Sequence, residues 1–229
     1  LIPIENSLAG SIYKNYDLLS GYRLKIVRET NQLIQHNLIV NPGVTFAEVK
    51  TVLSHPVALD QCEKFFARFP HLERESSYDT SGSVKHIIEE RLLSCAAIAG
   101  KRAAEYYGGE ILMTNIEDSQ ENLTRFFLLA REMQVSDDAD KNSIAFSVKN
   151  VPGALFKCLS VFALRDIDLT KIESRPLKAK PWEYLFYIDF LGNIREARVR
   201  NALNHLEEIT ESMEILGCYP SAASQSNKK

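Results

Sequence analysis

The order of strand and helix patterns is the feature that most restricts the fold of this chain. From residue 1 to about residue 131, short apolar strand patterns alternate with segments whose apolar residues recur at helical spacing. Such alternation is typical of an α/β layer structure, in which helices cover the faces of a sheet. From residue 143 to 220 the order is strand, helix, strand, strand, helix, strand, which predicts a ferredoxin-like βαββαβ unit.

A polar stretch separates these two patterns. Residues 132–142 include Ser136-Asp137-Asp138-Ala139-Asp140-Lys141 and lack apolar periodicity, so they are predicted to form a linker. We therefore expect one domain over residues 1–131 and a second over residues 143–220. The polar residues 221–229 are expected to form a flexible tail.

Composition excludes several classes of function. The chain is 45% hydrophobic and 25% charged, which is an ordinary soluble balance that permits a substantial core. Its formal net charge is −3 and no long basic run occurs, so nucleic acid is not an expected partner. The longest apolar runs are far too short for a membrane span. The histidines lie far apart and the cysteines form no CxxC pair, so no metal site is predicted.

Three polar junctions interrupt the first domain at the ends of predicted strands. The first is Glu5-Asn6-Ser7, where Asn6 or Ser7 is the predicted N-cap of a helix. The second is the hydroxyl-rich stretch from Asp79 to Ser83, and the third runs from Asn122 to Arg125. Each junction has a simple structural interpretation as a cap or a surface strand end. Because ligands of open α/β sheets bind at strand ends, the alternative is a convergent anion pocket.

The third junction gives the sharpest form of this choice. The strand over residues 122–130 is apolar except where Thr124 and Arg125 interrupt its start. A buried polar group costs free energy unless it is paired. Thr124 and Arg125 therefore mark either a strand that begins at the surface, or a hydroxyl and a cation that face a pocket for a dicarboxylate.

Several motifs, taken together in order and spacing, resemble those of the prephenate dehydratase family. In the first domain they are Pro3-Ile4-Glu5-Asn6-Ser7, His55-Pro56-x-Ala58-Leu59-x-Gln61-Cys62, Asp79-Thr80-x-Gly82 and Thr124-Arg125-Phe126. The second domain resembles the regulatory ACT domain of that family through Gly153-Ala154-Leu155 and Glu173-Ser174-Arg175-Pro176. The resemblance implies a periplasmic-binding-protein-like catalytic domain of two α/β lobes, followed by the ferredoxin-like domain.

The resemblance also implies a reaction, the conversion of prephenate to phenylpyruvate, water and CO₂ in phenylalanine biosynthesis. An enzyme of this kind is a carbon–oxygen lyase and needs no metal or organic cofactor. Thr124 would be the catalytic hydrogen-bond donor, with Arg125 as electrostatic support and Phe126 as a wall of the site. The oxygens of the substrate would be held by polar side chains of the other junctions, namely Asn6, Ser7, Thr80 and Ser81.

A regulatory site follows from the ACT resemblance. Phenylalanine would bind as an effector between two subunits of a homodimer or homotetramer. The residues expected to contact it lie at the start of the first helix of the second domain and on the strand that follows: Asn150, Gly153, Ala154, Leu155, Glu173, Ser174, Arg175 and Pro176.

Three features of the sequence bear on the comparison with the family. The family's catalytic domain has a glycine-containing segment ahead of Pro3, so a protein that began at Leu1 would be N-terminally truncated and weakly active or inactive. The family more often has alanines around Thr80-Ser81-Gly82-Ser83. The short loop from Lys178 to Pro181 resembles bacterial forms, which favours a cytoplasmic enzyme, or one of the plastid stroma if the source is a plant. The alternatives are an arogenate dehydratase and an inactive, amino-acid-binding regulatory protein.

Overall fold

The computed structural model describes residues 1–177 and 183–223. Its strands are β1 (Ile2–Asn6), β2 (Gly10–Ser11), β3 (Lys25–Leu33), β4 (Asn37–Val40), β5 (Thr51–Ser54), β6 (Glu73–Ser76), β7 (Cys95–Ala99), β8 (Glu110–Met113), β9 (Leu123–Ala130), β10 (Lys141–Ser147), β11 (Leu169–Pro176), β12 (Tyr184–Leu191) and β13 (Ser212–Tyr219). Its α-helices are α1 (Tyr13–Tyr22), α2 (Pro56–Asp60), α3 (Glu63–Arg68), α4 (Thr80–Glu89), α5 (Lys101–Tyr107), α6 (Ala154–Ala163) and α7 (Ala197–Ile209). A 3₁₀ turn, Phe46–Glu48, is held by a capping box of Thr45 and Glu48.

Residues 6–10 and 32–124 form one compact unit, which we call the five-stranded unit. Its sheet has the order β6-β5-β7-β4-β8. β5 runs parallel to β6 and β7, whereas β4 runs antiparallel to β7 and β8. The mixture of parallel strands and crossover helices is the α/β arrangement that the sequence predicts.

The strands β4, β5 and β7 of this sheet are buried on both faces, whereas the edge strand β6 is exposed. Side chains alternate between the two faces along each strand. Leu38, Val52 and Ile98 face α2 and α3, and they belong to a cluster that includes Leu59, Phe65 and Phe66. Ile39, Leu53 and Ala97 lie in a second cluster with residues of α4 and α5. Buried strands of this kind have continuous apolar sequences instead of an alternating pattern.

The other compact unit contains residues 1–5, 11–31 and the chain from residue 125 onward, and we call it the two-sheet unit. One sheet has the order β2-β1-β9-β3, and the other has the order β11-β12-β10-β13. The second order, with β10 antiparallel to β12 and β13, is that of a ferredoxin-like βαββαβ unit. The predicted fold class is therefore confirmed for the residues from Lys141 to Tyr219.

The ferredoxin-like sheet is covered on both faces within this unit. One face packs on α6 and α7 through residues such as Phe146, Phe162 and Leu206. The other face shares a core with the first sheet and α1, in which Ala145, Tyr187 and Tyr219 pack with the residues Ile4, Tyr16, Ile26 and Phe127. The domain boundaries read from the sequence stay a prediction, but this core joins residues from both sides of the predicted linker.

One glycine shows how closely the two sheets approach. A Cβ placed on Gly217 of β13 would lie 2.1 Å from the carbonyl oxygen of Ile26 in β3. No side chain fits at that distance. The contact of β13 with β3 therefore requires glycine at position 217.

Two boundaries differ from those predicted. α1 begins at Tyr13 with Ile12 as its N-cap, so the prediction that Asn6 or Ser7 caps this helix is wrong. The apolar spacing that suggested an earlier start belongs in part to β2 and the turn before it. β10 begins at Lys141, which is buried, so Lys141 and Asn142 are strand residues and not linker residues.

Residues 178–181, which suggested a bacterial form, and residues 224–229 of the expected tail lie outside the described residues. Among the helices of the described part of the chain, none combines the length and hydrophobicity needed to cross a lipid bilayer.

Candidate active site

Asn6 closes a tight turn at the end of β1. Its side-chain carbonyl accepts hydrogen bonds from the backbone N–H groups of Leu8 (3.1 Å) and Ala9 (2.8 Å). An asparagine side chain that mimics the backbone in this way is a common turn device. Gly10 follows with φ +82°, a conformation that glycine adopts without strain. Because the oxygen of Asn6 is used in the turn, its amide nitrogen is directed elsewhere as a donor.

That nitrogen connects the first and third polar junctions. Asn6 Nδ2 lies 2.6 Å from Asn122 Oδ1 and 3.0 Å from Thr124 Oγ1. Thr124 is 8% exposed and Asn122 is fully buried. In the described part of the chain, no acceptor is recorded for the hydroxyl proton of Thr124. The hydroxyl is thus oriented as an acceptor from Asn6 and retains its proton for donation.

Two residues that the sequence analysis did not single out as site residues complete this group. Gln61 Oε1 accepts from Asn122 Nδ2 (2.8 Å) and lies 3.0 Å from the ring Nε2 of His36. Gln61 belongs to the quoted motif after His55, so its place in that motif was an available signal. His36 is 4% exposed and precedes β4, and no spacing in the sequence pointed to it. We call Asn6, Gln61, Asn122 and Thr124 the amide network.

Ser7 is exposed and is bound to the segment before β9. Its hydroxyl accepts from the backbone N–H of Leu123 (2.9 Å) and donates to the carbonyl of Glu121 (3.0 Å). The backbone N–H of Ser7 donates to the carbonyl of Leu123 at 2.8 Å. The structure therefore brings Asn6, Ser7 and Thr124 together at the ends of β1 and β9.

Thr80 and Ser81 form the first turn of α4, and the Asp79 carboxylate caps that turn by accepting from the N–H of Gly82. Thr80 is partly exposed and Ser81 is exposed. No recorded hydrogen bond within the described residues joins their side chains to the amide network. Their predicted role in substrate binding stays a prediction.

Arg125 follows Thr124 on β9 but belongs to a different set of contacts. Its Nε lies 2.7 Å from Glu29 Oε2, and its Nη1 lies 2.7 Å from Asp189 Oδ2 and 3.7 Å from Glu5 Oε2. The guanidinium also lies 4.7 Å from the centre of the Phe127 ring, which is buried. Phe126, the predicted wall of the site, is partly buried.

These contacts keep Arg125 charged. Burial alone lowers the pKa of the guanidinium, but Asp189 together with Tyr219 and Glu29 raises it by more, so the net pKa is raised. Burial and the carboxylate of Asp189 raise the pKa of Tyr219 well above its ordinary value. The phenol is therefore neutral and lies 3.3 Å from Arg125 Nη2 as a hydrogen-bonding partner.

The predicted effector residues lie in two places in the two-sheet unit. Gly153 is the N-cap of α6 with φ +79°, and Ala154 and Leu155 begin that helix and pack against its core. Asn150 is exposed just before them. A cavity of about 320 Å³ lies beside this helix start and is lined by the following residues: Val148, Lys149, Val151, Ala154, Lys157, Glu208, Ile209, Thr210 and Glu211.

The second place is β11. Glu173 accepts from the hydroxyl of Ser11 at 2.5 Å, and Arg175 pairs with Asp17 of α1 at 3.2 Å. Ser174 and Pro176 occupy the alternate, exposed positions of the strand. The effector roles of these residues stay predictions, but the structure shows that Glu173 and Arg175 contact the segment that carries α1.

Two family models match the chain. The model described as Prephenate dehydratase matches residues 1–134, and the model described as ACT domain matches residues 142–208. Among curated proteins, arogenate dehydratase/prephenate dehydratase 2, chloroplastic, of Arabidopsis thaliana is 46% identical over 231 residues. The match covers 96% of this chain and 60% of that protein, so the chain spans less than two thirds of its relative's length.

Two solved structures resemble the chain over nearly its whole length. Prephenate dehydratase from Arthrobacter aurescens, solved in complex with L-Phe, is 31% identical with a TM-score of 0.89, over 98% of this chain and 75% of that chain. A structure described as GqqA, a novel type of quorum quenching acylase, is 33% identical with a TM-score of 0.87, over 96% of this chain and 81% of that chain. The chain therefore belongs to the prephenate dehydratase family and carries an ACT domain after the region that defines that family.

Proposed function

We propose that this protein catalyses the decarboxylating dehydration of prephenate to phenylpyruvate. The observation that carries the proposal is the buried hydroxyl of Thr124, which accepts from Asn6 and has no recorded acceptor for its proton among the described residues. Family membership supports the substrate class. The similarity to an acylase at 33% identity means that the reaction must be tested directly.

The chemistry needs little from the protein beyond positioned polar groups. The bond between the ring and the departing carboxylate breaks, and its electron pair makes the ring aromatic as the ring hydroxyl leaves. The leaving oxygen takes up a proton, which solvent supplies overall, and departs as water. A hydrogen bond from Thr124 to that oxygen stabilises the negative charge that develops on it in the transition state.

The surrounding amides make Thr124 a donor of fixed direction. Asn6 occupies one lone pair of the hydroxyl oxygen, and Gln61 and Asn122 hold Asn6 in place. Because this preorganisation exists before substrate binds, little reorganisation is needed at the moment of reaction. We assign the remaining predicted roles as before: Arg125 as electrostatic support, Phe126 as a wall, and Ser7, Thr80 and Ser81 as partners of the substrate's oxygens.

Arogenate, the transaminated form of prephenate, is the second candidate substrate. Arogenate dehydratase 2 of Petunia hybrida is 45% identical over 237 residues, which favours this alternative. Parallel assays that follow phenylpyruvate from prephenate and phenylalanine from arogenate separate the two. Turnover of neither substrate, together with phenylalanine binding in calorimetry, would instead support the regulatory-protein alternative.

The decisive variant is Thr124→Val, which replaces the hydroxyl with a methyl group at nearly constant volume. We expect kcat to fall by about 100-fold or more, since a positioned hydrogen-bond donor to developing negative charge contributes about 10²–10³-fold. Thr51→Val in β5, outside the amide network, is the matched control and should retain kcat. A Thr124→Val enzyme with a kcat within about threefold of wild type would refute the role of this hydroxyl.

The same relatives support our proposals on regulation and location. The complex of the Arthrobacter aurescens enzyme with L-Phe supports phenylalanine as the effector here, bound at the start of α6 and at β11 between two subunits of a homodimer or homotetramer. Calorimetric titration with phenylalanine tests this binding. The Arabidopsis thaliana relatives are named chloroplastic, which supports the plastid stroma for a protein of plant origin and the cytoplasm otherwise.

A further inference from the structure

On two neighbouring strands, a charged residue lies directly beside a neutral polar residue of the amide network. On β1, Glu5 precedes Asn6, and on the adjacent strand β9, Arg125 follows Thr124. Asn6 and Thr124 belong to the amide network, whereas Glu5 and Arg125 form ion pairs. Successive side chains of a strand point to opposite faces, so each strand serves two sets of contacts.

The ion pairs of Glu5 and Arg125 reach the ferredoxin-like sheet. Lys171 of β11 lies 2.8 Å from Glu5, and Asp189 of β12 lies 2.7 Å from Arg125. Lys141 of β10 lies 3.1 Å from Glu29, which also pairs with Arg125. We call these six residues, Glu5, Glu29, Arg125, Lys141, Lys171 and Asp189, the ionic network.

The contact between Arg125 and Asp189 is one of the two shortest ion pairs of this network, at 2.7 Å, and it is the one that reaches the ferredoxin-like sheet. The side chains of Arg125 and Asp189 are 12% and 7% exposed, so water screens their attraction weakly. The other oxygen of Asp189 accepts from the hydroxyl of Ser143 in β10. A guanidinium held by a fixed carboxylate in a buried site has little freedom, because moving it would leave a charge unpaired.

We propose that Asp189 is a positioning residue for Thr124. Through Arg125 it fixes the start of β9, and so it sets the direction in which the neighbouring hydroxyl of Thr124 donates. A displacement of Asp189 would then change the orientation of the Thr124 hydroxyl, although no ligand contacts both residues. The inference rests on the proposed function where it concerns catalysis, but its effect on the backbone of β9 does not depend on it.

The test uses two variants of different severity in the full chain. Asp189→Asn removes one of the three carboxylate charges around Arg125. Ser143→Ala removes the hydroxyl that bonds both Asp189 and the hydroxyl of Tyr219, and it removes no charge. We expect kcat to fall about tenfold in Asp189→Asn and about threefold in Ser143→Ala, since a small misplacement of a catalytic group costs up to about 100-fold. KM should stay within about twofold of wild type, since the substrate's own partners are unchanged.

Glu214→Gln is the matched control. Glu214 also lies on the ferredoxin-like sheet and pairs at 2.8 Å with a cation of the first sheet, Lys25, but it does not belong to the ionic network. This variant should retain kcat. A second readout, amide hydrogen–deuterium exchange, should show faster exchange over residues 122–126 in Asp189→Asn and Ser143→Ala, and no change there in Glu214→Gln.

The outcomes separate the inference from the proposed function. If Ser143→Ala keeps wild-type kcat and wild-type exchange over residues 122–126, the positioning role is refuted, even if the protein melts at a lower temperature. If wild type turns over neither prephenate nor arogenate, the proposed function fails, and the exchange measurement alone decides the inference. If Asp189→Asn does not fold, Ser143→Ala supplies the result, because it keeps every charge in place.

Discussion

The amide network and the ionic network meet on β9 at the peptide bond between Thr124 and Arg125, and they are held in different ways. The amide network consists of three neutral amides and a hydroxyl joined by hydrogen bonds. The ionic network joins three carboxylates to three cations, and Lys171 also lies 3.8 Å from a fourth carboxylate, that of Glu173. Neutral groups can direct a hydroxyl without placing a charge beside it. Buried charges supply rigidity, but each one depends on its partners.

Because one network is neutral and the other is charged, the two can contribute to a reaction in different ways. A site for a dicarboxylate gains from donors, and a neutral donor whose oxygen is already occupied presents its proton to the ligand. Charged residues in the same place would bind the ground state as tightly as the transition state, which does not raise kcat. We expect substitutions in the ionic network to lower stability as well as turnover, and those in the amide network to act mainly on turnover.

The largest effect should come from Glu29→Ala. Glu29 is 3% exposed and is paired with Arg125 and Lys141, so its removal leaves two buried cations undercompensated. We expect the free energy of unfolding to fall by about 3–5 kcal/mol. Urea denaturation measures the change. Glu214→Ala breaks a more exposed pair with Lys25 and should cost at most about 1 kcal/mol; equal losses in the two variants would remove the distinction between the networks.

Asn6→Ala should have the next largest effect, and it should act on turnover. The variant loses the donor to Thr124 and the acceptor of the turn. We expect kcat to fall about 10–100-fold, which corresponds to about 1.4–2.7 kcal/mol. Steady-state kinetics checks this. Asn15→Ala serves as the control and should leave kcat unchanged. It removes a hydrogen bond to the carbonyl of Pro3, and both residues lie within the two-sheet unit. A fall in both variants would point to a general loss of structure.

The smallest effect should come from Ser81→Ala. Ser81 is exposed at the start of α4, and the described residues record no side-chain hydrogen bond for it. Stability should change by less than about 0.5 kcal/mol, as is usual for a surface position. If Ser81 contacts the substrate, KM should rise about fivefold, which is the loss expected of about one net hydrogen bond. An unchanged KM would remove the second polar junction from the proposed site.

The sequence predicted the elements whose causes are local. β5, β7 and α5 are bounded by local signals that the sequence shows, such as Pro56, Gly100 and Gly108. The order of the ferredoxin-like strands was predictable for the same reason. Chain spacing also indicated the polar junctions, of which the structure joins the first and third.

The sequence could not predict features that depend on contacts between residues far apart in the chain. Asn6 can cap a helix or close a turn, and the choice depends on contacts with Asn122 and Thr124, more than 100 residues away. Lys141 appeared to be a linker residue because lysine is rarely buried without a partner, and its partner Glu29 lies 112 residues away. Among the described residues, His36 contacts the amide network through Gln61, and no local pattern in the sequence indicates that contact.

Gly217 offers a way to examine relatives without a further structure. Because a Cβ there would collide with the backbone of Ile26, position 217 serves as a diagnostic character for the packing of β13 on β3. A related chain with a larger residue at the equivalent position must pack its ferredoxin-like sheet differently against β3. Such chains can be identified from that position of the sequence, and those without glycine are expected to differ in the packing of β13 on β3.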